Sequence, residues 1–142
     1  GEVRPNFKNA RTTIEKNLRL NRILGSGNIM SLKRMLLEIG MGNDLHGGDY
    51  TKAAVRAMQD AMHHSSLSMI RSLGIQWDDV NIFVTIGVQK PDAIDHKKIK
   101  AVIPSGQVSV TAVKGGLDVN DREADDKAVI ATAALEIMVE LP

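Results

Sequence analysis

From Val80 to Val88 every second residue is aliphatic: Val80, Ile82, Val84, Ile86 and Val88 alternate with Asn81, Phe83, Thr85 and Gly87. A period of two is the signature of a β-strand with one face in a core. Such a strand is not stable alone and needs both neighbouring strands and a cover for its apolar face. The residues before it supply the cover. Ala54, Ala57, Met58, Ala61, Met62, Ser65 and Met69 recur at helical spacing until Gly74. This predicts an amphipathic helix with a contact stripe of alanine and methionine, suited to close packing on a sheet. Asp49 or Thr51 can cap its start and Gly74 its end.

The flanking segments extend the pattern. Met35, Leu37, Ile39, Met41 and Leu45 alternate with Leu36, Glu38, Gly40, Gly42, Asp44 and His46. This predicts a first strand whose apolar odd face lies against the helix and whose even face carries glycine, a carboxylate and an imidazole. After the Trp77-Asp78-Asp79 turn and the strand at 80–88, residues 91–102 read as a shorter helix capped by Asp92 or Asp95. Gln107–Lys114 reads as a third strand, Gly115-Gly116 as a break, and Asp118–Lys127 as an acidic loop. Residues 128–134 fit strand or helix, and Leu135, Ile137, Val139 and Leu141 mark a last strand. The expectation is an α+β domain with elements in the order β-α-β-α-β-β. It has a single mixed sheet of about four strands, helices on one face, and the first two strands parallel across a helical crossover. The other face carries Phe83, Val113 and Met138 among glycine and polar residues. That mixture predicts burial against further copies, a homo-oligomer read as a trimer packed sheet to sheet.

Composition narrows the setting. Aromatics are 3% of the 142 residues, so the core rests on Val, Ile, Leu, Met and Ala. The absence of cysteine excludes disulfides, a thiolate nucleophile and thiolate metal sites, and fits a reducing cytoplasm. No apolar run reaches the roughly 18 residues of a membrane span. Through Arg34 eight basic side chains face Glu2 and Glu15, +6, which leaves −5 on the remainder of a chain whose net charge is +1. Residues 1–34 read as a peripheral basic arm, jointed at Gly25-Ser26-Gly27, either a leader remnant or an extension acquired on expression; 35–142 read as the domain. The arm has only Phe7 as an aromatic and no base-reading motif, so nucleic acid is not the expected partner.

The segment that asks for chemistry is Gly40-Met41-Gly42-Asn43-Asp44-Leu45-His46-Gly47. If the strand stays extended to His46, Asp44 and His46 point the same way about 7 Å apart. The motif resembles the G-x-G-x-D-x-H-G signature of a small conserved family of unknown function in bacteria and plants. The likeness runs over most of 35–141 and includes Thr51-Lys52-Ala53-Ala54, Ile103-Pro104-Ser105-Gly106 and Gly115-Gly116. The element order is similar to that of the trimeric Bacillus-type chorismate mutases and the small enamine deaminases, a likeness that implies sites between subunits. Asp44-x-His46 also resembles the zinc-binding pair of methylerythritol cyclodiphosphate synthase, which needs a further histidine; His63, His64 and His96 stand at unmatched spacings.

Three functional readings follow, in this order. The first is a small-molecule enzyme at a subunit boundary, with His46 as general base held by Asp44 and Lys52 as contact for a small anionic ligand. The same pair can instead hold a divalent metal, although two ligands fall short of a full set. The second is a ligand-binding module in which Gly40, Gly42, Gly47, Lys52 and the helix start receive an anion without chemistry. The third is an interaction protein whose glycines only make a turn. Glu38 shares the even face as a provisional addition. Asp125-Asp126-Lys127 reads as a solvated cluster or a contribution across a subunit boundary.

Overall fold

The computed structural model describes residues 31–63 and 68–141. The expectations for the arm over 1–30, and for His64 and Ser65, lie outside these residues. Five strands form one sheet: β1 (Ser31–Asp44), β2 (Asn81–Val88), β3 (Gln107–Lys114), β4 (Leu117–Asp121) and β5 (Asp126–Leu141). The order across the sheet is β1-β5-β2-β3, with β4 also paired to β5. Among the described residues three α-helices accompany them: α1 (Tyr50–His63), α2 (Ser68–Ser72) and α3 (His96–Lys100). Residues 31–34, assigned to the arm from sequence, are the first residues of β1.

The alternation at 80–88 has the expected meaning. Ile82, Val84 and Ile86 are buried, as are Val129, Ala131, Ala133, Leu135 and Ile137 on β5. Each fully buried aliphatic side chain contributes roughly 1.5–3 kcal/mol, so β2 and β5 hold most of the core. The alanine-tolerant stretch 128–134 is strand because β5 is paired along both edges, with β1 on one side and with β2 and β4 on the other. β1 and β2 are both antiparallel to β5 and so run in the same direction, as expected, but β5 lies between them.

Two expectations are corrected. The acidic stretch 118–127 is a hairpin, since β4 pairs with β5 from Leu117↔Ile130 to Asp121↔Asp126. Asp121 makes the turn by accepting from the N–H groups of Glu123 and Ala124 at 2.9 and 3.2 Å. The second correction concerns the faces of β1. Gly40, Gly42 and Asp44 are buried beneath α1, whereas Leu37, Ile39 and Met41 on the odd face are 44%, 60% and 60% exposed. The reason is backbone proximity. A methyl group at Gly40 would overlap the Ala57 carbonyl oxygen and the Ala61 nitrogen, and one at Gly42 would overlap Ala57 and Ala53 backbone atoms. Ala53, Ala57 and Ala61 occur every four residues and form the facing stripe, all fully buried. Glycine against alanine lets helix and strand meet main chain to main chain, which the larger odd-face residues would prevent.

Local capping fixes the helix starts. Asp49 accepts from Lys52 N–H at 3.0 Å at the head of α1, and Asp95 accepts from Lys97 and Lys98 N–H at 3.0 and 3.3 Å at the head of α3. Thr51, the other candidate cap, instead ties the two helices' approaches together, accepting from Asp95 N–H at 3.0 Å.

Gly42→Ala is expected to destabilise the domain by about 3 kcal/mol, the upper range for overpacking, because the overlapping atoms are backbone and cannot rotate aside. Met41→Ala, one residue away on the exposed face, is expected to change stability far less. Urea denaturation of the two variants checks the difference.

Candidate functional site

β1 ends at Asp44, and residues 45–47 bend toward α1. Gly47 and Gly48 adopt φ of +92° and +63°, conformations that side chains resist, so the loop needs both glycines to deliver the chain into the helix. The bend separates the two residues expected to act together. Asp44 turns inward: its side chain is 5% exposed, with Oδ1 3.5 Å from Lys52 Nζ and 3.8 Å from Arg56 Nη1. Its other oxygen accepts from Asp49 N–H at 3.0 Å. His46 turns outward, 87% exposed, and its Nδ1 lies 3.1 Å from Asp126 Oδ2. The expected Asp44–His46 couple is therefore replaced by His46–Asp126, because extended geometry stops two residues short of the histidine.

Asp126 is the organising group of the loop. Besides His46 it accepts from the N–H of Gly47 at 3.0 Å and from its neighbour Lys127 N–H at 2.8 Å. The Gly47 N–H first, then the Lys127 N–H and the imidazole, hold its carboxyl below the ordinary carboxylate range. An ionised carboxylate only accepts, so the neutral His46 ring must carry its proton on Nδ1 and keep its lone pair on Nε2. Nε2 then faces outward as a base or ligand atom held in one tautomer.

Behind the loop lies a second polar group. Lys127 Nζ donates to Tyr50 Oη at 2.8 Å and lies 3.5 Å from Asp118 Oδ2, and Tyr50 Oη donates to the same Asp118 oxygen. The bond to Tyr50 first, with the Asp118 carboxylate behind it, holds the Lys127 ammonium above the usual lysine range. The space beside Gly48 is filled by the Lys127 chain, whose Cε would lie 2.9 Å from any methyl there. The group thus braces the loop from beneath while Asp126 ties it from the side.

Lys52 and the helix start, expected to hold an anionic ligand, are occupied by the chain's own carboxylates: Lys52 Nζ faces Asp44, and the first-turn N–H of Lys52 is capped by Asp49. Gly40 and Gly42 contact α1 instead of leaving a hollow. Glu38 is buried on the helix side, six residues or about 20 Å of strand from Asp44, and is not part of this loop. His63 lines a separate cleft between α1 and α3 with Gln59, Met62 and Lys98. Among the described residues no three His, Asp or Glu side chains converge in a group able to hold a metal, and Asp44 and His46 face different partners. Asp126 was missed as the partner of His46 because 80 residues separate the two; only the β4–β5 hairpin brings them together.

The comparisons bear on kinship. The model of a family described as "Conserved hypothetical protein (Lin0512_fam)" matches residues 34–137. The chain belongs to this family. The G-x-G-x-D-x-H-G segment at 40–47 lies within the matched stretch. The fold is also similar to the crystal structure, at 1.22 Å resolution, of an FtsZ-like protein of unknown function from Nostoc punctiforme PCC 73102. The two are 32% identical with a TM-score of 0.70, over 79% of this chain and 99% of that one. No curated protein matches the chain.

The depressed pKa of Asp126 gives a pH expectation. A carboxyl ionised more easily when folded contributes stability that is present above its ordinary pKa, near 4, and is lost as pH falls through the lower folded value. Protection of the Gly47 amide, its exchange rate relative to an unstructured amide at the same pH, is expected to hold from pH 7 to about 5 and to fall selectively below about pH 4. NMR exchange rates at Gly47, compared with an amide inside β5, check this.

Proposed function

We propose that this protein binds a small molecule as a homo-oligomer, with His46 and Asp126 as its reactive pair at the margin of the open sheet face. The observation that carries the reading is the Nδ1 contact of His46 with Asp126 at 3.1 Å, on an imidazole whose other nitrogen is free to meet a ligand. Carboxylate-held histidine of one tautomer is the arrangement of a general base. This remains the enzyme reading of the motif with one partner exchanged, Asp126 for Asp44. Lys52 serves it indirectly, by holding Asp44 at the root of the loop. A divalent metal would find a ligand atom at Nε2, with further ligands required from the bound molecule or another copy.

The oligomer is supported by the open face. Strand register puts Leu37, Ile39 and Met41 of β1 on the same side as Leu117 and Val119 of β4, around Ile130, Thr132 and Ala134 of β5. Leu117 and Val119 are 59% and 52% exposed. A contiguous apolar patch of this kind is typical of interaction surfaces. Alternation along β5 puts Asp126 on the same side as Ala128 and Ile130, so the His46–Asp126 pair borders the patch. A copy packed on this face would shield the pair from water, the property that gives a base its power. A sheet-to-sheet oligomer, the kind of assembly expected from sequence, would place the pair at such a boundary. The same patch also favours a second reading, an assembly protein without chemistry.

Two outcomes are expected. Asp126→Asn keeps the loop's N–H contacts but presents a donor to Nδ1, which then accepts, so the neutral ring changes tautomer and carries its proton on Nε2; ¹⁵N chemical shifts of His46 report the tautomer. His46→Gln is expected to leave the melting temperature within a degree or two. It should abolish thermal shifts produced by any metabolite, zinc or manganese that stabilises the wild type. Retained shifts in this variant would return the protein to the assembly reading. Ile39→Ser with Met41→Ser is expected to lower the oligomer mass in light scattering while the monomer stays folded.

A further inference from the structure

The β1 and β3 edges of the sheet are finished differently. At the β1 edge α1 covers the free main chain. Met41 N–H donates to Asp60 Oδ2 at 2.9 Å, and the Asn43 carbonyl accepts from Arg56 Nη1 at 2.7 Å. The pairing of β1 also shifts register between Arg34 and Leu36, a bulge that bends the strand. These are known devices against strand pairing. β3 has none of them. It pairs with β2 in unbroken parallel register from Asn81↔Gln107 to Val88↔Lys114, with no bulge. Its sequence, QVSVTAVK, holds no proline and no charge before Lys114. Among the described residues no hydrogen bond from another element reaches the outer backbone groups of Val108–Val113. An unbulged edge whose seven residues before Lys114 are uncharged and rich in β-branched side chains is a template for another strand.

We propose that two copies of this chain associate through β3, antiparallel across a two-fold axis, to form one continuous sheet. Charge selects the occupant and its direction. Lys114 lies exposed at one end of β3. At the other end Gln107 N–H is bonded to the Val80 carbonyl at 2.9 Å, beside the Trp77–Asp79 turn, where Asp78 and Asp79 are exposed. An antiparallel copy brings each Lys114 toward the acidic turn of its counterpart, whereas a parallel, in-register copy stacks lysine on lysine. Such exposed pairs add little affinity but set orientation. Pairing centred on Thr111 sets threonine against threonine and Ser109 against Val113, combinations that sheets tolerate well. The main chain of this edge is separate from the His46 site, but Ser109, Thr111 and Val113 face the same side of the sheet as the apolar patch, so the open-face variant Ile39→Ser with Met41→Ser serves as the control.

Light scattering of the full chain tests it first. The mass is expected to be an even multiple of the chain's own; a monomer or a trimer overturns the proposal. Ser109→Lys with Thr111→Lys sets like charges across the two-fold axis and is expected to halve that mass with the circular dichroism unchanged. An unchanged mass in this variant, or halving only by Ile39→Ser with Met41→Ser, also overturns it. Since the chain has no cysteine, Thr111→Cys offers a check that does not depend on dissociation. Mild oxidation is expected to give a covalent dimer, or, for pairing centred on Val110, a dimer only when it is mixed with Ser109→Cys. No dimer from either experiment counts against the edge contact. Lys114→Glu is expected to weaken the dimer, and Asp78→Lys with Asp79→Lys in the same chain to restore it.

Discussion

The contact on which the domain depends is the approach of two main chains, β1 at Gly40 and Gly42 and α1 at Ala53, Ala57 and Ala61. No side chain larger than a methyl group separates them. The gain is dispersion between closely packed backbones, and it is available on only one face of β1. Every later feature of that strand follows. Asp44 is carried under the helix, where its charge is met by Lys52, Arg56 and the Asp49 N–H. Leu37, Ile39 and Met41 are left outside. Arg56 and Asp60, one turn apart on the same helix, overhang the strand edge and occupy its free carbonyl and amide.

The candidate site is the product of a second constraint, the length of β5. Its 16 residues pair with β1 on one side and with β2 and then β4 on the other. The β4–β5 turn therefore reaches past the end of β2 to the loop that follows β1. Asp126, the first residue of β5, meets Gly47 and His46 there, and Lys127 turns to the opposite face to meet Tyr50 and Asp118. One strand start thus fixes the loop from two directions. The result is a histidine presented outward on a well-tied backbone, a different object from the buried pair that Asp44 and His46 would have made. Membership of the Lin0512_fam family, and the likeness to a structure also described as of unknown function, leave the geometry of this loop as the strongest guide to activity.

Much of the domain is readable from local pattern. The alternation at 80–88, the alanine stripe at three- and four-residue spacing and the caps at Asp49 and Asp95 each name an element, because period and capping are properties of neighbouring residues. The β4–β5 hairpin escaped because five residues with two aliphatic side chains look like an acidic loop until Ile130 and Ala128 are placed opposite them. The wrong face was assigned to β1 for a related reason. Hydrophobicity ranks Leu37, Ile39 and Met41 above glycine, but it does not register how closely a helix can approach.

By itself, the sequence marked β1, β2, β3 and the end of β5 as strands and α1 as helix, gave the α+β class and singled out the segment 40–47, while it hid β4 in an acidic loop and left 128–134 open. Only the tertiary structure decided that β5 lies between β1 and β2, which face of β1 is covered, and that His46 belongs to Asp126. The division has a physical cause. Period, propensity and capping act over a few residues, whereas a pairing across 80 residues exists only after the sheet has closed its order and brought distant backbone within hydrogen-bond reach.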